Sequence, residues 1–74
     1  MDAKALAEIR KNKGYTQQAL ADKVGITRQQ ISAIETGQSF PSVPTAKAIA
    51  NVLGIGIDDM FSSVNSIIQE KEAN

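Results

Sequence analysis

Residues 17–37 read QQALADKVGITRQQISAIETG, and this stretch decides the fold. Gly25 divides it into two short segments, each with apolar residues at helical spacing. Gly25 supplies the positive φ that a tight turn requires, and the small Ala21 lets two helices cross closely. The residues expected to bury the unit are Leu20, Val24, Ile26, Ile31 and Ile34. The stretch therefore predicts two short helices joined by a glycine turn, which is the helix-turn-helix arrangement.

Polar residues mark where the two helices begin. Thr16 is a good N-cap for the first of them, and Thr27 is a good N-cap for the second. Gln30 follows Thr27 at the spacing of a capping box, in which the two side chains bond each other's backbone N–H groups. Gln30 therefore has two candidate roles, capping or base contact, and the spacing favours capping.

The rest of the chain predicts three more helices and no strand. A first helix over residues 2–12 has Ala5, Leu6 and Ile9 on its inner side. Another helix begins after the N-cap Ser42 and tolerates Pro44 in its first turn. The apolar stripe expected on this helix consists of Val43, Ala46, Ile49, Ala50 and Leu53. A short last helix over residues 57–61 would place Met60 and Phe61 in the core.

Length and composition exclude several classes of protein. With 74 residues the chain forms one domain, which we expect over residues 1–63, with residues 64–74 as a short helical extension or tail. It has no Cys and no His, so we expect no disulfide, no metal, no cofactor and no enzymatic activity. It also lacks a signal peptide and a run long enough to span a membrane, which favours a cytoplasmic location.

The charge is zero overall but unevenly distributed. Residues 1–47 hold seven basic and four acidic residues, a net charge of +3, whereas residues 48–74 carry −3. A cationic half could face phosphate while the acidic half faces away. The alternative is a chance distribution of sixteen charges.

The segment TQQALADKVGITRQQISAIETG, followed by PS and then GIGIDDMF, resembles the Cro/C1-type (XRE) helix-turn-helix regulators, which include lambdoid phage repressors. The resemblance extends from Leu6 to Phe61. It implies an all-α, five-helix, lambda-repressor-like domain that binds double-stranded operator DNA, usually as a homodimer. Members often have Lys or Arg near Gln38 and Phe40, so this chain is less basic there and its non-specific affinity is expected to be weak.

The geometry of the second helix of the motif selects the side chains that could read bases. At about 100° per residue, Gln29 lies roughly opposite Ile31, whereas Arg28 lies on the flank at the helix N-terminus, where recognition helices meet base edges. Gln29 suits adenine and Arg28 suits guanine or a phosphate. Ser32 and Ala33 also face outward and are weaker candidates. The usual alternative for such exposed polar residues is a solvated surface.

Further roles follow only from the resemblance. Arg10 and Glu35 match a family pair that forms a partly buried salt bridge between the first and third helices. Gln17 matches a glutamine that contacts a phosphate and braces the first recognition residue. The full set of expected phosphate contacts is Gln17, Thr27, Thr36, Gln38 and Ser39.

These observations favour a sequence-specific regulator that binds a palindromic operator as a homodimer. We expect a repressor, since the chain has no room for an effector domain. The alternative is an antitoxin-like interaction module of the same fold, with a toxin or antirepressor as partner. Val64, Ile67 and Ile68 would then form the partner surface, although they could equally close the core or the dimer.

Overall fold

The computed structural model describes residues 5–63, and this part of the chain is all α-helical with no strand. Four helices are complete: α1 is Leu6–Asn12, α2 is Gln17–Val24, α3 is Arg28–Glu35 and α4 is Val43–Leu53. Residues 57–63, here α5, form a fifth helix at the end of the described range. The predicted five-helix, all-α architecture is thus confirmed over these residues.

The polar residues predicted to start the helices do so. Thr16 Oγ1 accepts the backbone N–H of Ala19 at 3.0 Å. Ser42 accepts the N–H of Thr45 at 3.4 Å, so each hydroxyl satisfies one of the N–H groups that a helix start leaves unpaired. Gly25 ends α2 at φ +88°, and its N–H bonds the carbonyl of Ala21 at 2.8 Å. This left-handed conformation lets the chain turn sharply into α3.

The core lies around α2, which packs against both α3 and α4. Leu20 and Ala21 of α2 are fully buried. Their burial agrees with the predicted core position of Leu20 and the predicted close helix crossing at Ala21. The buried apolar residues come from all five helices: Leu6, Leu20, Ala21, Ile31, Ile34, Ala46, Ile49, Ala50, Leu53 and Met60. This packing fixes the orientation of α3, so its outer surface is held rigidly towards solvent.

Three expectations about the helices need correction. Ala5 is extended, so α1 starts at Leu6 rather than near residue 2; among residues 5–63, Leu6 is the first fully buried side chain, and its packing stabilises the helix start. Val43 was expected on the inner stripe of α4 but is 55% exposed, since the buried face of that helix begins only at Ala46. Phe61 is half-buried and packs against the edge of the core, whereas Met60 is fully buried as predicted.

The predicted helix over residues 57–61 is longer than expected, because residues 57–63 are helical. Ser63 is completely buried, and its hydroxyl donates to the carbonyl of Met60 at 2.7 Å. A buried serine is tolerated there because this bond satisfies its polar group. The expected surface at Val64, Ile67 and Ile68 lies outside the described residues.

Within residues 5–63, no helix has the length and apolar character needed to cross a membrane.

Candidate nucleic-acid interface

The first turn of α3 carries the two leading base-reading candidates, and both are exposed. Arg28 is the first residue of α3 and Gln29 is the second. Neither side chain has a hydrogen-bond partner among the described residues, and the turn contains no acidic residue. Both polar groups are therefore available to a ligand.

Ser32 and Ala33, the weaker candidates, are half-buried one turn later on α3. The carbonyl of Ala33 accepts the backbone N–H groups of Gln38 and Ser39, at 2.9 and 3.2 Å. The loop after α3 therefore folds back on the end of the helix. A ligand therefore has less room to reach Ser32 and Ala33 than to reach Arg28 and Gln29 in the first turn.

The capping box predicted at the start of α3 is confirmed. Thr27 Oγ1 accepts the N–H of Gln30 at 3.1 Å, and Gln30 Oε1 accepts the N–H of Thr27 at 2.9 Å. The Thr27 hydroxyl also lies 3.2 Å from Gln30 Oε1. Of the two roles open to Gln30, the structure shows capping. The Thr27 proton is engaged as well, so a phosphate contact from Thr27 would have to displace this bond.

The loop that follows α3 carries the remaining phosphate candidates. Thr36 is exposed, but its hydroxyl donates to the carbonyl of Ser32 at 3.0 Å and lies 3.3 Å from that of Ala33. Gln38 and Ser39 are exposed, and their side chains have no hydrogen-bond partner among the described residues. In this loop the donors free to bind an anion are therefore on Gln38 and Ser39.

A buried charge pair joins the ends of three helices. Arg10 Nε donates to Glu35 Oε2 at 2.6 Å, and Arg10 Nη2 donates to Glu35 Oε1 at 3.3 Å. The side chains of Arg10 and Glu35 are 7% and 5% exposed. Arg10 Nη1 also donates to the carbonyl of Tyr15 at 2.7 Å, just before α2. Arg10 is thus occupied by the protein itself.

Gln17 forms a hydrogen bond with this pair, and the sequence did not predict that contact. Its Nε2 donates to Glu35 Oε1 at 3.0 Å, and the side chain is half-buried at the first position of α2. The two residues are 18 positions apart, on different helices. No local pattern encodes such a contact; only the packing of α2 on α3 brings them together.

Acidic residues are unevenly distributed among the first turns of the helices. The first turns of α2, α3 and α4 contain no acidic residue, whereas the first turn of α5 contains Asp58 and Asp59. Unpaired N–H groups and the helix dipole make an N-terminus positive, and a carboxylate in the first turn offsets this. Three successive helices therefore keep uncompensated positive ends. Among residues 5–63, no cluster of acidic residues could hold a metal ion.

Comparison with known proteins gives a consistent picture. A model of the helix-turn-helix family matches residues 6–60. The chain is 35% identical over 66 residues to an SPbeta prophage-derived HTH-type transcriptional regulator, YonR, of Bacillus subtilis, covering 89% of the chain and 61% of YonR. It is 47% identical over 57 residues to an HTH-type transcriptional regulator of Methanothermobacter thermautotrophicus, covering 76% of the chain and 83% of that relative. The chain thus spans less than two thirds of YonR. No solved structure matches.

Proposed function

The chain belongs to the helix-turn-helix family, and we propose on that premise that it represses transcription by binding a palindromic operator as a homodimer. Its relatives are HTH-type transcriptional regulators, which supports DNA-binding regulation of transcription as its activity. Repression follows if the bound dimer covers a promoter and blocks polymerase.

The observation that carries the proposal is the exposed first turn of α3. Arg28 and Gln29 are both exposed and without a partner among the described residues, at the end of the helix that meets base edges in this motif. Gln29 can bond adenine N6 and N7 together, and Arg28 can bond guanine O6 and N7. Ser32 and Ala33, both half-buried, would read a neighbouring base through a hydroxyl and a methyl group.

Positive helix ends support binding to the sugar-phosphate backbone. At α2 the Thr16 cap bonds the N–H of Ala19, which leaves the N–H groups of Gln17 and Gln18 for an outside acceptor. Such a helix end binds phosphate through its N–H groups and its dipole. We assign backbone contacts to Gln17, Gln38 and Ser39, and to Thr27 and Thr36 once their hydroxyl protons turn towards phosphate.

None of these proposed backbone contacts comes from a charged side chain. Counterion release scales with the number of phosphates that Lys and Arg neutralise, at a slope of about −0.9 for each one in B-DNA. Lys23 and Arg28 are the only cations in the segment 17–39. Binding should therefore weaken with salt at a slope of roughly −2 to −4 for a dimer. Specificity would then rest on base contacts more than on charge.

An exposed apolar pair supports the homodimer. Phe40 and Val43 are the large apolar side chains that residues 5–63 leave exposed, at 50% and 55%. The Phe40 ring stacks on that of Phe61 with centroids 5.7 Å apart, so the patch continues onto α5. We propose that a second copy of the chain covers this patch, because burial of apolar surface is the main driving force for association.

A charge placed in the patch tests the homodimer. Val43→Glu adds a carboxylate to the first turn of α4, a favourable position for folding but an unfavourable one inside an apolar interface. Gln18→Glu is the matched control, since it adds the same charge to the first turn of α2. Sedimentation should show a dimer for the wild type and Gln18→Glu but a monomer for Val43→Glu. A dimer in all three would refute this interface.

The function itself is tested by selecting bound sequences from random duplex DNA. We expect an enriched palindrome with half-sites about one helical turn apart. A reporter driven by a promoter that contains this palindrome should then lose expression when the protein is present. Failure to enrich any motif would contradict sequence-specific binding, and increased expression would contradict repression.

A further inference from the structure

The side-chain amide of Gln17 has a fixed orientation. Its Nε2 donates to Glu35 Oε1 at 3.0 Å, and Glu35 is 9% exposed. An ionised carboxylate only accepts hydrogen bonds, so the amide must turn its nitrogen towards Glu35. The second N–H on Nε2 and the carbonyl Oε1 remain for other partners.

Glu35 can hold Gln17 because it is itself held. Arg10 binds both carboxylate oxygens of Glu35, at 2.6 and 3.3 Å, and is anchored to the carbonyl of Tyr15 at 2.7 Å. Arg10 also neutralises the charge of Glu35, which would otherwise repel a phosphate near Gln17. The buried pair thus presents a neutral, rigid acceptor to the first turn of α2.

We propose that Glu35, backed by Arg10, is a positioning residue for DNA: it orients the Gln17 amide so that its second N–H donates to a backbone phosphate. This inference rests on the proposed function. A glutamine loses rotamer freedom when it binds a ligand, and a side chain already held by Glu35 has lost that freedom beforehand. The pair therefore acts on DNA affinity as well as on folding.

A double-mutant cycle separates this role from a purely structural one. The proteins are the wild type, Gln17→Ala, the apolar replacement Arg10→Met/Glu35→Met, and their combination. Replacing both members by apolar residues avoids an unpaired buried charge, so this variant is expected to fold. The probe is a duplex of about 30 base pairs that carries the palindrome selected as described above, so that every variant is compared on the same site.

We expect Gln17→Ala to weaken binding about tenfold for each bound subunit in the wild-type background, the value of one hydrogen bond to a charged group. In the Arg10→Met/Glu35→Met background the amide is no longer held, so Gln17→Ala should change affinity by less than about threefold. Equal losses in both backgrounds would overturn the inference. No binding by the wild type would instead overturn the proposed function, and the inference with it.

Two further measurements keep the test decisive. Gln18→Ala is the matched control, because Gln18 is exposed and donates to Asp22 at 2.8 Å instead of to Glu35; its loss should be below about twofold. If Arg10→Met/Glu35→Met does not fold, NMR of the wild type replaces the cycle. The Gln17 side-chain amide should exchange more slowly than that of Gln29 and shift on adding the duplex. Equal exchange rates, or no shift, would overturn the inference.

Discussion

Glu35→Ala is expected to destabilise the protein strongly. The substitution removes the acceptor of two hydrogen bonds from Arg10 and one from Gln17. The Arg10 guanidinium stays buried, at 6% exposure, with only the carbonyl of Tyr15 as a partner. Breaking a buried pair in this way costs about 3–5 kcal/mol. Because both side chains are almost completely buried, solvent screening reduces this cost little.

The expected loss from Glu35→Ala is a large share of the protein's free energy of unfolding. A chain of 74 residues has an expected free energy of unfolding of roughly 4–11 kcal/mol. At about 4–8 °C per kcal/mol, Tm should fall by at least about 12 °C. Urea unfolding followed by far-UV circular dichroism, at one protein concentration, measures the change. Glu8→Ala, an exposed acid on α1, is the control and should stay within about 0.5 kcal/mol of the wild type. A Glu35→Ala loss below about 1 kcal/mol would refute the reasoning.

Three further substitutions test the local geometry, each by the same unfolding measurement. Thr27→Ala removes the capping box with Gln30 and should cost about 1 kcal/mol, whereas Thr27→Ser should retain most of it; equal stability of both variants would contradict the cap. Gly25→Ala should cost about 1–2 kcal/mol from its φ of +88° alone, since no atom lies within 4 Å of the added methyl group. Gly56 lies just before α5, at its N-cap position, where serine caps better than glycine. Gly56→Ser should stabilise by about 0.5 kcal/mol, because the added Cβ meets only Asp59 Oδ2 at an ordinary 3.7 Å and the backbone has no positive φ; destabilisation would contradict this.

Local signals in the sequence predicted the helices well. Thr16 and Thr27 cap helices through bonds to residues three positions away, and Gly25 adopts the conformation that only glycine takes readily. Each of these features depends on a few neighbouring residues, so it can be seen without the fold. The buried face of α2 could be predicted for the same reason, because its apolar residues recur at helical spacing.

The features that could not be predicted from the sequence depend on tertiary contacts. The Gln17–Glu35 bond joins residues 18 positions apart, and no spacing rule encodes it. Val43 fits the apolar stripe of α4, yet it is exposed, because the buried face of that helix begins only at Ala46. Of the expected site residues, Arg28, Gln29, Gln38 and Ser39 are exposed, with side chains that have no hydrogen-bond partner among the described residues. Thr27 and Thr36 have hydroxyl protons already engaged in local hydrogen bonds.

The central claim is that the first turn of α3 reads the bases, and one measurement tests it most directly. Binding sequences are selected from random duplex DNA with the wild type, with Gln29→Ala and, as a control, with Gln18→Ala. Gln29→Ala is expected to bind the wild-type motif about 1–3 kcal/mol more weakly and to lose preference at one position in each half-site. Gln18→Ala should select the wild-type motif. An unchanged motif and affinity for Gln29→Ala would contradict the account.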